Sequence, residues 1–296
     1  MKREKNEYYV ARYSLIPDNQ ITLSAWRDGY PTKESIFKTW LDELDERNHE
    51  ERIIENTEYV LYCNCFKENE YILNFCKKIT ETINEKAEFD IIPKDIDNYE
   101  KFFIIINITN QIILIQKNSN FSSSIETQKN RISKVFSEIL KQNGLSIEID
   151  FLTQKNNFWK YVKDQSGKLK KLEITLNSPN FLKGVDTVKD FLDDLKNTYN
   201  NTSTKVSLDN TNGHLTIPTN NNFLNDAIKY SSSGCGSWKV KTISSAKTYS
   251  SEDAAVTKEL SIHSLDLHED NIHQIEAIFN QIDSIDIENI SGDDSL

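Results

Sequence analysis

The strongest constraint on this chain is a pattern that occurs twice: two runs rich in β-branched and aromatic residues, joined by only three residues. Residues 58–66 and 70–77 flank Lys67, Glu68 and Asn69, and residues 102–107 and 111–116 flank Ile108, Thr109 and Asn110. Connections this short join neighbouring antiparallel strands, because a parallel return needs a crossover of a dozen residues or more. Two hairpins in the first half therefore predict an antiparallel sheet there.

The remaining elements follow from periodicity. Residues 8–15 are aromatic and β-branched and read as a strand, Pro17, Asp18 and Asn19 supply a turn, and residues 21–25 are expected to return as its partner. Thr32 is a candidate N-cap for a helix over 33–46, in which Ile36, Phe37, Trp40, Leu41 and Leu44 recur at helical spacing. Ser123 with Glu126 has the form of a capping box ahead of Ile125, Ile132, Val135, Phe136, Ile139 and Leu140, and Gly144 stands where such a helix would stop. A strand at 145–152 follows. Beyond it the sequence predicts a strand at 172–176, a helix carrying Val185, Val188, Phe191, Leu192, Leu195 and Tyr199, a hairpin of Val206 and Leu208 against Leu215 and Ile217 across Asn212 and Gly213, a short helix over 222–230 and a strand at 237–243.

Length and charge divide the chain. At 296 residues it exceeds the roughly 100–200 of one typical domain. Residues 1–150 hold 20 basic against 26 acidic side chains, residues 151–250 hold 14 against 8, and residues 251–296 hold 1 against 12. The fold class expected is α+β, as two mixed domains built on antiparallel sheets with packed helices: 1–153, a basic 154–262, and an acidic helix and tail over 263–296. The longest apolar run, 102–106, is far short of the roughly 20 residues of a membrane span, and residues 2–5 are charged, so neither membrane insertion nor a secretory leader is expected. Four cysteines without scaffold spacing point to reduced thiols and a cytoplasmic address. The preference for Asn, Ile, Lys and Ser suggests an AT-rich bacterial or mobile-element coding sequence.

In the basic stretch, Phe158, Trp159 and Tyr161 interleave with Lys160 and Lys163, and Lys168, Lys170 and Lys171 follow. Ammonium groups neutralise phosphates while aromatic faces stack on exposed bases, so these eight residues form a candidate nucleic-acid surface, with the acidic tail as a competitor for it. Cys63, Cys65 and Cys76 lack the paired motifs and fourth ligand of a zinc site. His263, His268 and His273 recur every five residues, and His268-Glu269 is not followed by a histidine at metalloprotease spacing. Glu148 and Asp150 followed by Lys155 have the residue types, but not the spacing, of a metal-dependent nuclease. The run 231–236 suggests either an anion-binding turn around Cys235 or a plain turn before Trp238. No cofactor and no metal are expected.

Read in order, the strand Tyr8-Tyr9-Val10-Ala11-Arg12-Tyr13, the helix carrying Phe37 to Leu44, and the hairpins over 59–75 and 102–116 resemble the RexA-type phage-exclusion proteins. Lys171-Leu172-Glu173-Ile174-Thr175-Leu176 with Pro179-Asn180 is similar to proteins of bacterial anti-phage loci, KwaB being a more distant comparison. The resemblance covers about residues 7–245. It implies a non-enzymatic sensor or regulatory component of abortive infection that binds DNA, acts with a membrane or effector protein encoded nearby, and forms a homodimer or other homo-oligomer. The rival functions are a metal-dependent nuclease or toxin-like effector, and a protein-interaction subunit of a larger defence complex.

Overall fold

The computed structural model describes residues 5–17, 32–86, 90–122, 124–177 and 186–291. Among them are six helices and twelve strands in two antiparallel sheets, a mixed α+β fold. The chain opens with β1 (Asn6–Pro17), then α1 (Lys33–Arg47), β2 (His49–Ile54), β3 (Thr57–Lys67), β4 (Glu70–Lys86), β5 (Ile91–Asn107) and β6 (Ile112–Gln116). Helix α2 (Ile125–Leu140), strand β7 (Leu145–Phe151), α3 (Lys155–Asp164), β8 (Leu169–Asn177), α4 (Asp186–Tyr199) and β9 (Ser203–Asp209) follow. The last elements are α5 (Asn222–Ser232), β10 (Gly236–Thr242), β11 (Tyr249–Ser250), β12 (Thr257–Leu260) and α6 (Glu269–Ser291).

The larger sheet runs β12-β1-β6-β5-β4-β3-β2, with β7 also paired to β1. Both expected hairpins are present as β3–β4 and β5–β6. The middle ribbon is longer than its apolar pattern suggested: β4 and β5 remain paired from Glu70↔Asn107 out to Lys86↔Ile91, so an exposed two-stranded arm projects beyond the sheet. The strand expected at 21–25 lies outside the described residues.

Two helices close one face of this sheet. Thr32 caps α1 by accepting from the Ser35 backbone N–H at 3.1 Å, and Phe37, Trp40, Leu41 and Leu44 turn inward. The N-cap of α2 is Ser124, whose hydroxyl accepts from Thr127 N at 3.1 Å; Ser123 lies outside the described residues. A short 3-10 turn then ends on Gly144 at φ 67, the left-handed conformation anticipated there. Phe37 stacks on Trp40 at 5.6 Å, and Phe136 packs against Trp40 at 5.4 Å, edge to face.

The opposite face is covered by the end of the chain. Ile275, Ile278, Phe279 and Ile282 of α6 pack with Tyr8, Ile72, Phe103, Ile105 and Leu114. Strand β12 brings α6 there by pairing Asn6↔Leu260 through Tyr9↔Thr257.

The smaller sheet, β11-β10-β8-β9, carries a core of its own, in which Leu172, Ile174, Leu176, Trp238 and Val240 meet Phe158, Val188, Leu192 and Ile228. Its outer face is polar: Lys171, Glu173, Thr175 and Asn177 of β8 stand opposite Asp209, Ser207, Lys205 and Ser203 of β9. Strand β9 pairs with β8, so the hairpin expected across Asn212 and Gly213 does not form; Leu215 and Ile217 belong to an irregular segment. Gly213 nevertheless takes the positive φ of 80 expected of it.

The two sheets meet at a backbone seam. Leu152 and Thr153 bridge to Ser233 and Ala255, and the Arg12 guanidinium donates Nε to Ser233 O at 2.9 Å and Nη1 to Asn110 O at 2.8 Å. The run 231–236 is thus a buried part of this seam, with Cys235 fully enclosed, and is neither an open anion-binding turn nor an accessible thiol. Among the described residues no helix is long and apolar enough to cross a membrane.

Candidate nucleic-acid interface

Helix α3 arises because Phe158, Trp159 and Val162 fall on one face and are drawn into the smaller core. That helical spacing explains why the aromatic residues do not form an exposed ladder. Phe158 is fully buried, edge-on to Trp159 at 5.0 Å and to Trp238 at 5.3 Å. Tyr161, half-buried at the margin of the same core, stacks on Tyr249 at 4.1 Å.

What α3 does present is one wall of a cleft of about 890 Å³. Trp159 lines it while only 5% exposed, alongside Val162 and Leu169, with Lys160 and Lys163 one turn apart at the lip. The facing wall is the segment His214-Leu215-Thr216-Ile217 with Thr219. Leu215 N donates to Leu169 O at 2.9 Å, tying this wall to the start of β8, and Gly213 seats it: a Cβ there would lie 2.2 Å from Ile243 Cγ2.

The cleft therefore gathers Trp159, Lys160 and Lys163 of the eight expected residues. Lys168 is exposed in the turn before β8 and Lys170 half-exposed on that strand, both just past the cleft, while Lys171 joins the polar sheet face and pairs with Glu173 at 3.1 Å. The second wall was missed because the alternation of Leu215 and Ile217 with His214 and Thr216 has the period of a strand.

A second, polar crevice of about 390 Å³ separates α2 and β7 from the outer face of the smaller sheet. Its three lysines are all committed: Lys129 to Glu252 at 3.9 Å, Lys205 to Glu173 at 2.7 Å, and Lys239 across the crevice to Glu126 at 3.4 Å. Glu148 and Asp150, one pleat apart on β7, complete the wall, whereas Lys155 opens α3 instead. Asp150 is 8% exposed and accepts from Asn177 Nδ2 at 2.5 Å. Burial, opposed by the Lys129 charge and reinforced by Glu148 and Glu252, pushes its carboxyl up to about 6.

The cysteines do not converge. Cys63 and Cys65 share the face that meets α1, while Cys76 is on the opposite side of the sheet, and burial raises all three thiols above the ordinary range. Among the described residues no group of three or more His, Cys, Asp or Glu side chains is placed to hold a metal ion. No protein-family model matches the chain, and no curated protein matches it.

Proposed function

We propose that the chain is a non-enzymatic, nucleic-acid-binding sensor or regulatory component of a bacterial anti-phage system, with the α3 cleft and its surrounding lysines as the contact surface. One observation carries the binding surface. Lys160, Lys163, Lys168 and Lys170 have no carboxylate partner among the described residues, whereas Lys171, Lys205 and Lys239 each have one. A paired lysine must release its carboxylate to engage a phosphate; an uncommitted one only displaces water and small ions. The anti-phage role rests on the resemblance to phage-exclusion proteins, and it assigns downstream action to a separate membrane or effector partner.

The test is a titration of labelled single-stranded and duplex DNA at two salt concentrations against the full chain and a Lys160→Gln, Lys163→Gln, Lys168→Gln, Lys170→Gln variant. The wild type should bind at low salt, and the variant should bind more weakly with a salt slope shallower by about three to four. No measurable affinity of the wild type at low salt refutes the binding surface.

A second function, a hydrolytic effector acting at the crevice, is favoured by Asp150 alone. A buried carboxyl pushed toward neutrality in a polar cavity has the character of a general acid or base. Retention of full biological activity by Asp150→Asn would eliminate it.

A further inference from the structure

We infer that the α3 cleft is a slot for one unstacked nucleobase carrying phosphate, presented either by a single strand or as a free nucleotide. The inference rests on the nucleic-acid function proposed above and narrows it. A duplex is recognised by an element that enters its grooves, and here the protein offers a hollow instead of a protruding basic helix. At about 890 Å³ the hollow falls within the roughly 300–1,000 Å³ of pockets that enclose small molecules, and bases are read most readily once splayed out of a stack.

The lining has the chemistry of a base and its phosphate in separate zones. Val162, Leu169, Ile217 and the edge of Trp159 form an apolar sandwich suited to the two faces of a heterocycle. Asn157, His214 and Thr216 bring amide, imidazole and hydroxyl groups within the same cleft, able to donate to and accept from a base edge. Lys160 and Lys163 stand at the mouth without carboxylate partners, where a phosphate leaving the base would pass. Trp159 is too enclosed to serve as an open stacking platform, so the base must enter between the walls. Those walls are pre-set, because the Leu215–Leu169 backbone bond and the seat of Gly213 beneath Ile243 hold the 214–219 segment before any ligand arrives.

The variant that tests this is Thr216→Trp, which fills the slot from an exposed position and leaves the core side chains unchanged. Full-length wild type and variant, shown to melt at the same temperature, are titrated with a labelled single-stranded 12-mer and its duplex at the same salt. Unlabelled adenosine and thymidine 5′-monophosphates serve as competitors. The wild type should prefer the single strand by about tenfold or more, and the variant should lose that preference. Competition by a monophosphate identifies a free nucleotide as a sufficient ligand; its failure, with single-strand preference intact, identifies the strand. Equal affinity for both DNA forms, or no effect of Thr216→Trp, overturns the slot while leaving nucleic-acid binding in place. Absence of binding to any probe removes both.

Discussion

Replacing Asp150 with asparagine should stabilise the protein, and by an amount that depends on pH. In the native state its carboxyl titrates at about 6, against roughly 3.9 in an unfolded chain. The folded state therefore holds this proton more tightly, and the associated stability is present below the unfolded value and lost as pH rises through the native one. At about 1.36 kcal/mol per pKa unit, ionising Asp150 costs about 1.5 kcal/mol at pH 5 and about 3 kcal/mol at pH 8. Asparagine can accept the same bond from Asn177 through Oδ1 and carries no charge to desolvate. Urea unfolding of both proteins at pH 5 and pH 8 measures the effect. The variant should be more stable at both, with an advantage larger by about 1.5 kcal/mol at pH 8. An advantage that is the same at both pH values, or a less stable variant at pH 8, would show that Asp150 is solvated or otherwise compensated.

Gly213→Ala should lower stability by about 1–3 kcal/mol in thermal melts, because the new methyl meets Ile243 in a left-handed backbone conformation. Trp238→Ala should cost about 3–5 kcal/mol, since the indole is fully buried among Phe158 and Tyr249. Removing residues 283–296 deletes Asp283, Asp286, Glu288, Asp293 and Asp294 and no side-chain cation, so DNA affinity at low salt should rise in the same titrations. Truncation before Glu269 should instead yield aggregated protein on size exclusion, because it uncovers Ile72, Phe103 and Ile105.

Where burial was one-sided, the sequence was easily read. Helices α1 and α2 each place a single apolar stripe on the large sheet, and the paired strands around Asn69 and Asn110 alternate between two cores. The projecting arm was not legible: residues 78–86 and 91–101 meet water on both faces and carry no burial period. The aromatic residues of α3 were legible as apolar but ambiguous in period, since Phe158, Trp159, Val162 and their neighbouring lysines satisfy both a helix face and an interleaved binding surface. The pairing of β1 with β12 spans 254 positions at Asn6↔Leu260, a relation no local period encodes. The crevice is equally silent, because Asp150 and Asn177 are brought together only by the packing of one sheet against the other.

That clasp of the two ends has a consequence for synthesis. At roughly 5–20 residues per second, a ribosome needs on the order of 13–50 s to pass from Asn6 to Leu260, and α6 is completed later still. Until then the Tyr8, Ile72 and Phe103 face of the large sheet has no cover, whereas every strand of the smaller sheet precedes β12 in the chain and its core can close first. The nascent chain thus carries a finished lobe and an open one on the same tether. Its yield in the cell should respond to chaperone supply during translation more than the stability of the finished protein would suggest, and slowing elongation after codon 254 should prolong the vulnerable state.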